Sequence, residues 1–396
     1  MGTLSPNMVV ELSTVAYAVQ KTQKTKRFDF DVSKNLANHF NFNSFSKPVM
    51  GTSGGFVAKA KNQQTGFALI GQGKSEQTGF ALIGQGKSEQ YKDDIVIAVR
   101  GTNFASLNDL STDARASTSS TERGALVHAG FNSVFESMKK ELSPYINLLP
   151  ANATLHCVGH SLGGAIATLI ADWAKQKLLN VKLYSIGAPK VGFADFALKH
   201  TNSLGQENIF RCTKGCDPVP MVPVWPFVHA PYNGYEYRVD NSGFVNPIKH
   251  KVKYYMQDMK SNDWNSYQRK MSFNSHKRVT LDVRLSHQVS RDLFWMNRLS
   301  EALLTLLRQL GHGIASRIQS GIANGLNFYD QIAMVLSDVT LHNATFTGQL
   351  NGLLAHMLVF AGHATRKVET LSYEFIRWVF KKTIQVVNRL AREALN

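Results

Sequence analysis

Cysteine and long apolar runs are both scarce in this sequence. The three cysteines, Cys157, Cys212 and Cys216, are too few to cross-link 396 residues, so no disulfide framework is expected. The longest apolar stretch, residues 350–361, is interrupted by polar residues and is shorter than the ~20 residues that a membrane-spanning helix needs. The start, MGTLSP, lacks the basic residues and apolar segment of a secretory signal. We therefore expect neither a transmembrane helix nor export by the Sec pathway.

Acidic residues are outnumbered by basic ones. Lys and Arg total 44 against 28 Asp and Glu, which gives a formal net charge of +16. Such a surface attracts polyanions, of which nucleic acid and an anionic lipid surface are the two obvious classes. Because 43% of the residues are hydrophobic and 18% are charged, the composition excludes a chain that is disordered throughout or collagen-like. The length favours one large domain with an extension, or two domains.

A tandem duplication stands near the middle of the first half. The thirteen residues QTGFALIGQGKSE at positions 64–76 recur without change at positions 77–89. The FALI core is typical of a strand, and the following GQG can turn the chain. Either the two copies pair as a hairpin, or one copy loops out while the other joins a sheet. We interpret the repeat as a local insertion without a catalytic role, because a solenoid needs three or more units.

Strand and helix patterns alternate after the repeat. Short β-rich runs occupy residues 95–99, 155–158, 181–186, 209–212 and 235–239, with a helical pattern at residues 162–178. A first amphipathic helix is expected at residues 5–20, followed by a polar, irregular segment up to residue 50. The alternation predicts an α/β fold in which helices flank a mainly parallel sheet.

Helical patterns take over from about residue 258. Apolar stripes at residues 295–310, 350–357 and 371–395 predict amphipathic helices. We therefore divide the chain into a first domain, residues 1–260, and a mainly helical extension, residues 261–396. The helices are expected to pack on themselves or on the first domain, and a lipid-binding appendage is the alternative.

The sequence GHSLGG at residues 159–164 follows an apolar strand and opens a helix. This is the context of the GxSxG motif, in which a sharp strand-to-helix turn exposes the serine hydroxyl above the sheet. Gly159 and Gly163 fit the motif because a Cβ at either position would collide with neighbouring backbone. Ser161 is the predicted nucleophile, and a structural turn with an idle serine is the alternative.

A nucleophilic serine needs a base, and the base needs an orienting acid. Hydrolases with this motif order them along the chain as Ser, then Asp or Glu, then His. Asp217 follows the strand at residues 209–212, which predicts that it lies at the same edge of the sheet as Ser161. A turn-forming Asp-Pro pair is the alternative.

Four histidines, His229, His250, His276 and His287, are candidates for the base. The base should follow the last strand and precede the next helix, which favours His250 and disfavours His229. Chain order does not separate His276 from His287, so both stay as alternatives.

An oxyanion formed by the attack needs preorganised backbone donors. The amide of Leu162, directly after the nucleophile, is one candidate. Thr102, in the turn after the strand at residues 95–99, is the other.

These motifs together resemble the class 3 lipases, the fungal-lipase-like branch of the α/β-hydrolases. The similarity covers about residues 65–257. The matching segments are the strand ending in RGT (residues 95–102), a DWxxD segment with Leu110 in place of Trp (109–113), an HxGF element (128–131), a strand ending in FGxPRVG (184–192) and an RxxxxxDPVPxLP segment (211–223). The resemblance implies an α/β-hydrolase fold for the first domain, a triad of Ser161, Asp217 and His250, and an oxyanion hole formed by Thr102 and Leu162.

Two features depart from the family pattern. The segment where the family has its lid, residues 103–123, is polar here, so interfacial activation by an apolar lid is not expected and the helical extension could gate the site instead. The helical third of the chain matches nothing in the family.

The resemblance and the charge together suggest a reaction. A Ser-His-Asp enzyme that hydrolyses a lipid ester through an acyl-enzyme needs neither a metal nor an organic cofactor, and a lone CxxxC is a weak zinc signal. Basic residues dominate positions 249–291, and Lys251, Lys253, Lys277 and Arg278 are the predicted contacts with an anionic membrane.

We therefore favour a phospholipase, of the A1 type by resemblance, over a triacylglycerol lipase. A membrane-binding or pore-forming protein with an inactive hydrolase domain, and an acyltransferase, are further alternatives. No motif for reading nucleic acid is present.

Lipases of this class that lack a Sec signal and carry a helical extension resemble antibacterial effectors delivered by type VI secretion. This resemblance implies an immunity protein as a partner. It implies secretion without a Sec signal, or a cytoplasmic protein, with peripheral attachment to membranes in either case.

Overall fold

The computed structural model describes residues 2–21, 31–42, 49–53, 76–101, 118–177, 180–240, 243–271, 273, 277–310, 328–340 and 344–395. The helices of these residues are α1 (Pro6–Val15), α2 (Lys34–His39), α3 (Ala129–Asn147), α4 (Leu162–Lys175), α5 (Ala194–Leu204), α6 (Val252–Asp258), α7 (Leu293–Gln309), α8 (Phe328–Thr340), α9 (Ala344–Phe360) and α10 (Tyr373–Leu395). The strands are β1 (Phe40–Asn41), β2 (Val49–Ser53), β3 (Glu76–Gly86), β4 (Ile95–Val99), β5 (Thr118–Ser120), β6 (Leu126–His128), β7 (Thr154–His160), β8 (Asn180–Ile186), β9 (Ile209–Lys214), β10 (Tyr235–Asp240) and β11 (Gln268–Lys270).

Within the described residues, nine strands form one sheet in the order β1-β3-β4-β7-β8-β9-β10-β11, with β2 also paired to β3. The five central strands, from β4 to β10, run parallel. The outer pairs are antiparallel. The predicted α/β-hydrolase fold, a mainly parallel sheet flanked by helices with further helices toward the C-terminus, is confirmed.

Both faces of the sheet are covered, as a parallel sheet requires. Ile95, Ile97 and Val99 of β4 face one core, which they share with α3, α4 and helices α7 to α10. Val96 and Ala98 face the opposite core, which they share with α1. Because successive buried residues of β4 face opposite cores, this strand joins two layers of helices to a single sheet. The division of the chain at residue 260 stays a prediction.

The patterned parts of the sequence fold as expected. The five predicted strands correspond to β4, β7, β8, β9 and β10, and the predicted C-terminal helices to α7, α9 and α10. The expectation of an irregular segment up to residue 50 is wrong for its described part, which contains α2, β1 and the start of β2. These elements are too short for periodicity to show, and both strands depend on pairing with β3.

The second copy of the repeat takes a place in the sheet. Residues 77–86 form most of β3, between β4 on one side and β1 and β2 on the other. The first copy, up to residue 75, lies outside the described residues.

Among the described helices, none is long and apolar enough to span a bilayer. The three cysteines are free thiols and are buried.

Candidate active site

Ser161 lies on a strained turn between β7 and α4. Its backbone has φ +59° and ψ −131°. Residues other than glycine rarely adopt these angles, and where they do the residue usually belongs to a functional site. The flanking glycines make this turn sterically feasible. A Cβ on Gly159 would lie 2.3 Å from the carbonyl carbon of Gly163, and one on Gly163 would lie 2.2 Å from the Val99 oxygen. The turn can therefore form only with glycine at both positions.

The structure brings together three side chains from distant stretches of the chain. His250 Nε2 lies 2.9 Å from Ser161 Oγ, and His250 Nδ1 lies 2.8 Å from Asp217 Oδ2. Ser161 and His250 are each 2% exposed and Asp217 is fully buried. With the carboxylate ionised, Nδ1 carries the proton, so Nε2 is free to accept the proton of the serine hydroxyl.

Asp217 is held by more than its contact with His250. Its Oδ1 accepts a hydrogen bond from the amide of Val219 (2.9 Å), and its Oδ2 accepts a second one from the hydroxyl of Tyr255 in α6 (2.7 Å). Burial, and then the charge of Asp217, hold the pKa of Tyr255 well above its usual value, so this hydroxyl stays a donor. Gly187, at φ +54°, leaves room for both groups, because a Cβ there would lie 2.9 Å from each.

His250 is positioned through its backbone. His160, the residue before the serine, has Nε2 2.8 Å from the carbonyl oxygen of His250 and Nδ1 2.7 Å from the hydroxyl of Tyr17. Since a carbonyl can only accept, Nε2 donates and Nδ1 accepts from Tyr17. Burial, and then the proximity of His250, keep the pKa of His160 well below its usual value. A neutral imidazole therefore links the first helical segment to the turn that carries His250.

The described residues include one of the two predicted donors of the oxyanion hole. Leu162 is the first residue of α4, so its amide has no acceptor within the helix and lies at the positive end of the helix dipole. Thr102, the second predicted donor, lies outside the described residues.

The other candidate histidines have different neighbours. His229 donates from Nε2 to the carbonyl of Pro220, and the exposed His287 has Nδ1 3.0 Å from the carbonyl of Arg284. His276 lies outside the described residues. His250 is thus the described imidazole that contacts Ser161.

Sequence reasoning missed Tyr255, His160 and Tyr17. Tyr255 lies in no motif of the sequence, and His160 is the variable residue of GxSxG. The signal available for His160 is its place in the motif, directly before Ser161. None exists for Tyr17, whose contact spans 143 residues.

The two cysteines near Asp217 have a thioether and a carboxylate as neighbours. Cys212 Sγ lies 3.7 Å from Met259 Sδ, and Cys216 Sγ lies 3.5 Å from Asp240 Oδ2. Burial raises the pKa of the Cys212 thiol. Within the part of the chain that the structure describes, no cluster of His, Cys, Asp and Glu could hold a metal ion.

Comparison with known proteins identifies the central segment. Residues 96–227 match the family described as Lipase (class 3). "Secreted mono- and diacylglycerol lipase 1" of Fusarium solani is 33% identical over 135 residues, which are 33% of this chain and 40% of that protein. "Toxin TseL" of Vibrio cholerae is 34% identical over 109 residues, 26% of this chain and 16% of that protein. A crystal structure of a mono- and diacylglycerol lipase from Aspergillus oryzae aligns over 60% of this chain and 79% of that one, with 21% identity and a TM-score of 0.40.

The chain thus spans less than half the length of these two curated relatives. The matched segment includes most of β4, the serine turn, the FGxPRVG-like strand and the loop with Asp217. The similarity of this chain to the class 3 lipase family is carried by residues 96–227.

Proposed function

We propose that this chain hydrolyses a carboxylic ester of a lipid, with Ser161 as the nucleophile, His250 as the base and Asp217 as the orienting acid. The observation that carries the proposal is the unbroken hydrogen-bonded line from Ser161 Oγ through the imidazole to the carboxylate, at 2.9 and 2.8 Å. These distances fall within the reach that proton transfer requires.

The reaction follows from the positions of these groups. Ser161 Oγ attacks the carbonyl carbon while its proton passes to His250 Nε2, and the Leu162 amide binds the oxyanion. Thr102 is proposed as the second donor. Collapse of the intermediate breaks the bond to the alcohol, which leaves with the proton from His250. Water, deprotonated by His250, then attacks the acyl-enzyme and releases the acid and the free serine.

Ser161→Ala tests the proposal. Loss of a triad serine costs on the order of a millionfold in kcat, so hydrolysis of a short-chain ester should fall to background. Ser13→Ala is a matched control, because Ser13 is also a buried serine but lies in α1. Hydrolysis by the Ser161→Ala protein at the wild-type rate would disprove the role of Ser161. Equal permeabilisation of liposomes by both proteins would instead favour the membrane-binding alternative.

For the substrate, we propose a phospholipid in an anionic surface. Lys251 and Lys253, which follow His250 directly, are exposed, as are Lys277 and Arg278. Each could contribute about 1 kcal/mol at such a surface. Phe244 and Ile248, which precede His250 in the chain, are exposed as well.

Phe244 and Ile248 supply the apolar part of this proposed membrane contact. Phe244 is 82% exposed and Ile248 is 57% exposed, and both lie within six residues of His250. Large apolar side chains beside basic ones are the composition of surfaces that insert into the lipid headgroup region. Docking through them would bring the turn that carries His250 to the membrane.

Mass spectrometry of products from mixed vesicles distinguishes the substrates. A phospholipase of the A1 type releases the sn-1 fatty acid and leaves a lysophospholipid acylated at sn-2. Release of fatty acid from triacylglycerol alone would favour the triacylglycerol lipase. Transfer of the acyl group to an added alcohol would identify an acyltransferase.

We also propose that the protein is an antibacterial effector. The similarity to a protein named as a toxin supports this role, although the matched region covers a small part of that protein. An effector requires an immunity protein, so co-expression with the neighbouring open reading frame should restore growth of bacteria poisoned by the wild type. If the neighbour gives no protection, or if Ser161→Ala remains equally toxic, the effector proposal based on hydrolysis is wrong.

A further inference from the structure

The hydroxyl of Tyr17 is connected to two loops of the candidate active site. It lies 2.7 Å from His160 Nδ1, in the turn that carries Ser161. Through its other ring nitrogen, His160 donates to the carbonyl oxygen of His250 at 2.8 Å. Tyr17 is therefore hydrogen-bonded to the residue before the nucleophile and, through that residue, to the backbone of the base.

The same hydroxyl contacts the loop that follows β4. Gly101 lies directly before Thr102, the proposed second donor to the oxyanion. A Cβ on Gly101 would lie 2.3 Å from Tyr17 Oη and 3.1 Å from the carbonyl oxygen of His160, so only glycine allows these groups to approach so closely. Burial raises the pKa of Tyr17, and the charge of Arg100 and a hydrogen bond with the Gly101 backbone offset part of this rise. The hydroxyl is thus a neutral donor that joins the loop before Thr102 to the serine turn.

Contacts that do not involve this hydroxyl hold the segment of residues 2–17 in place. The indole of Trp264 donates to the carbonyl of Leu4 at 2.8 Å, and the hydroxyl of Tyr91 donates to the carbonyl of Thr3 at 3.0 Å. The apolar face of α1 is buried in the core on its side of the sheet. Loss of the Tyr17 hydroxyl should therefore leave the segment docked.

His160 needs a donor at Nδ1. The side chain is buried, with 2% of the residue exposed. Because Nε2 donates to a carbonyl, Nδ1 of the neutral ring can only accept, and Tyr17 is the described group that donates to it. The ring also lies against that of His250, with the centroids 4.7 Å apart. Without the hydroxyl, a buried acceptor beside the base would lack its partner, which is unfavourable.

We propose that Tyr17 is a positioning residue for ester hydrolysis, whose hydroxyl fixes the loop before Thr102 and the turn of His250 relative to the serine. This role rests on the proposed function. The oxyanion donors and the base act on one tetrahedral intermediate, so their spacing must be fixed before the attack. Tyr17 acts through His160 and Gly101, which lie next to the reacting groups in the chain.

Tyr17→Phe tests this role through kcat and KM on a soluble short-chain ester. The substitution keeps the ring and removes the hydroxyl. We expect kcat to fall about tenfold, because small displacements of catalytic groups slow the reaction, and KM to stay within about twofold.

Tyr91→Phe is the matched control, because Tyr91 is also buried and its hydroxyl binds the same segment at Thr3. It should lower the free energy of unfolding and leave kcat unchanged. A wild-type kcat in the Tyr17→Phe protein overturns the proposal. An equal fall of kcat in both variants also overturns it, since docking of the segment would then explain the loss.

A double-mutant cycle with His160→Gln shows whether Tyr17 acts through His160. A glutamine side chain at this position can still donate to the His250 carbonyl, but it lacks the acceptor that Nδ1 presents to Tyr17. Tyr17→Phe should therefore lower kcat less than about twofold in the His160→Gln background, against about tenfold in the wild type. Losses that simply multiply overturn the action of Tyr17 through His160.

Proton NMR gives a readout that needs neither turnover nor a substitution at His160. The proton on His250 Nδ1 is expected far downfield, because it lies in a short hydrogen bond to the charged Asp217. In the Ser161→Ala protein, Tyr17→Phe should shift this resonance and Tyr91→Phe should not. An unshifted resonance overturns the positioning of His250 by Tyr17. Absence of hydrolysis by the wild type would instead overturn the proposed function, so the two failures are distinguishable.

Discussion

The hydroxyl of Tyr255 should position Asp217 for catalysis, and Tyr255→Phe tests this role. The carboxylate accepts three described hydrogen bonds, from His250 Nδ1, the Val219 amide and the Tyr255 hydroxyl, at 2.7–2.9 Å. The substitution removes the shortest of the three and leaves the phenyl ring in place. The carboxylate therefore stays buried and paired with His250, but one of its two contacts on Oδ2 is lost.

The size of the effect follows from the charge of the acceptor. A hydrogen bond to a charged group contributes about 1.5–3 kcal/mol, which would correspond to a factor of about 10 to 150 if all of it were lost in the transition state. Asp217 accepts this hydrogen bond in the ground state and in the transition state. The substitution therefore raises the activation free energy only through the altered orientation of His250. We expect kcat to fall by about tenfold, KM to change little, and the free energy of unfolding to fall by about 2 kcal/mol.

The assay compares kcat on a soluble short-chain ester and unfolding in urea. Tyr184→Phe is the matched control: Tyr184 is equally buried, and its hydroxyl accepts from the amide of Leu4 at 3.0 Å, away from the triad. Its loss should lower stability and leave kcat unchanged. If the two variants lose stability and keep the same kcat, the Tyr255 hydroxyl supports the fold and does not position Asp217.

Three further predictions use other parts of the molecule. Gly187→Ala should lower kcat at least as much as Tyr255→Phe. The added Cβ would crowd the Asp217 carboxylate, and the backbone at φ +54° disfavours alanine. An unchanged kcat would contradict the crowding at this position. Phe244→Ser should weaken sedimentation with anionic vesicles and leave hydrolysis of a soluble ester unchanged, whereas unchanged vesicle binding would exclude Phe244 from the membrane contact. Burial lowers the pKa of His128 to about 4. Below about pH 6.5 the unfolded state therefore takes up a proton that the folded state does not. The free energy of unfolding should then fall by up to about 1.4 kcal/mol per pH unit, or about 3 kcal/mol by pH 4. In urea unfolding, His128→Phe should show a smaller loss between pH 7 and pH 5 than the wild type, and parallel losses would refute this assignment.

The core of the active site could be predicted because its signals are local. The turn at Ser161 is determined by glycines two residues away, whose absent Cβ atoms lie against backbone. The central strands could be predicted because each is a short run of residues buried on both faces. His250 required the chain-order rule as well, since no local motif distinguishes it from the other histidines, whereas Asp217 also lies in the RxxxxxDPVPxLP-like segment.

The surrounding contacts could not be predicted, since they join residues that are far apart in sequence. Tyr17 reaches His160 across 143 residues, and Arg211 meets Trp225 and the α7 residue Ser300 in one cavity wall. Periodicity assigns each of these residues to a helix, strand or loop but does not specify which elements meet. The buried charge of Arg211 is also invisible in the sequence, where it is one basic residue among 44.

The C-terminal helices contact the loops that carry the triad. Helix α10 lies against the turn Pro247–His250 and the turn Val219–Met221, which follows Asp217. The apolar residues of α10 belong to the same continuous core as those of α4, which starts at the serine turn. A boundary at residue 260 therefore separates two patterns of sequence, but the packing links the two parts energetically. Displacement of α10 would expose apolar surface and would also release the supports of His250 and Asp217, so the stability of the helical region and the geometry of the triad should change together.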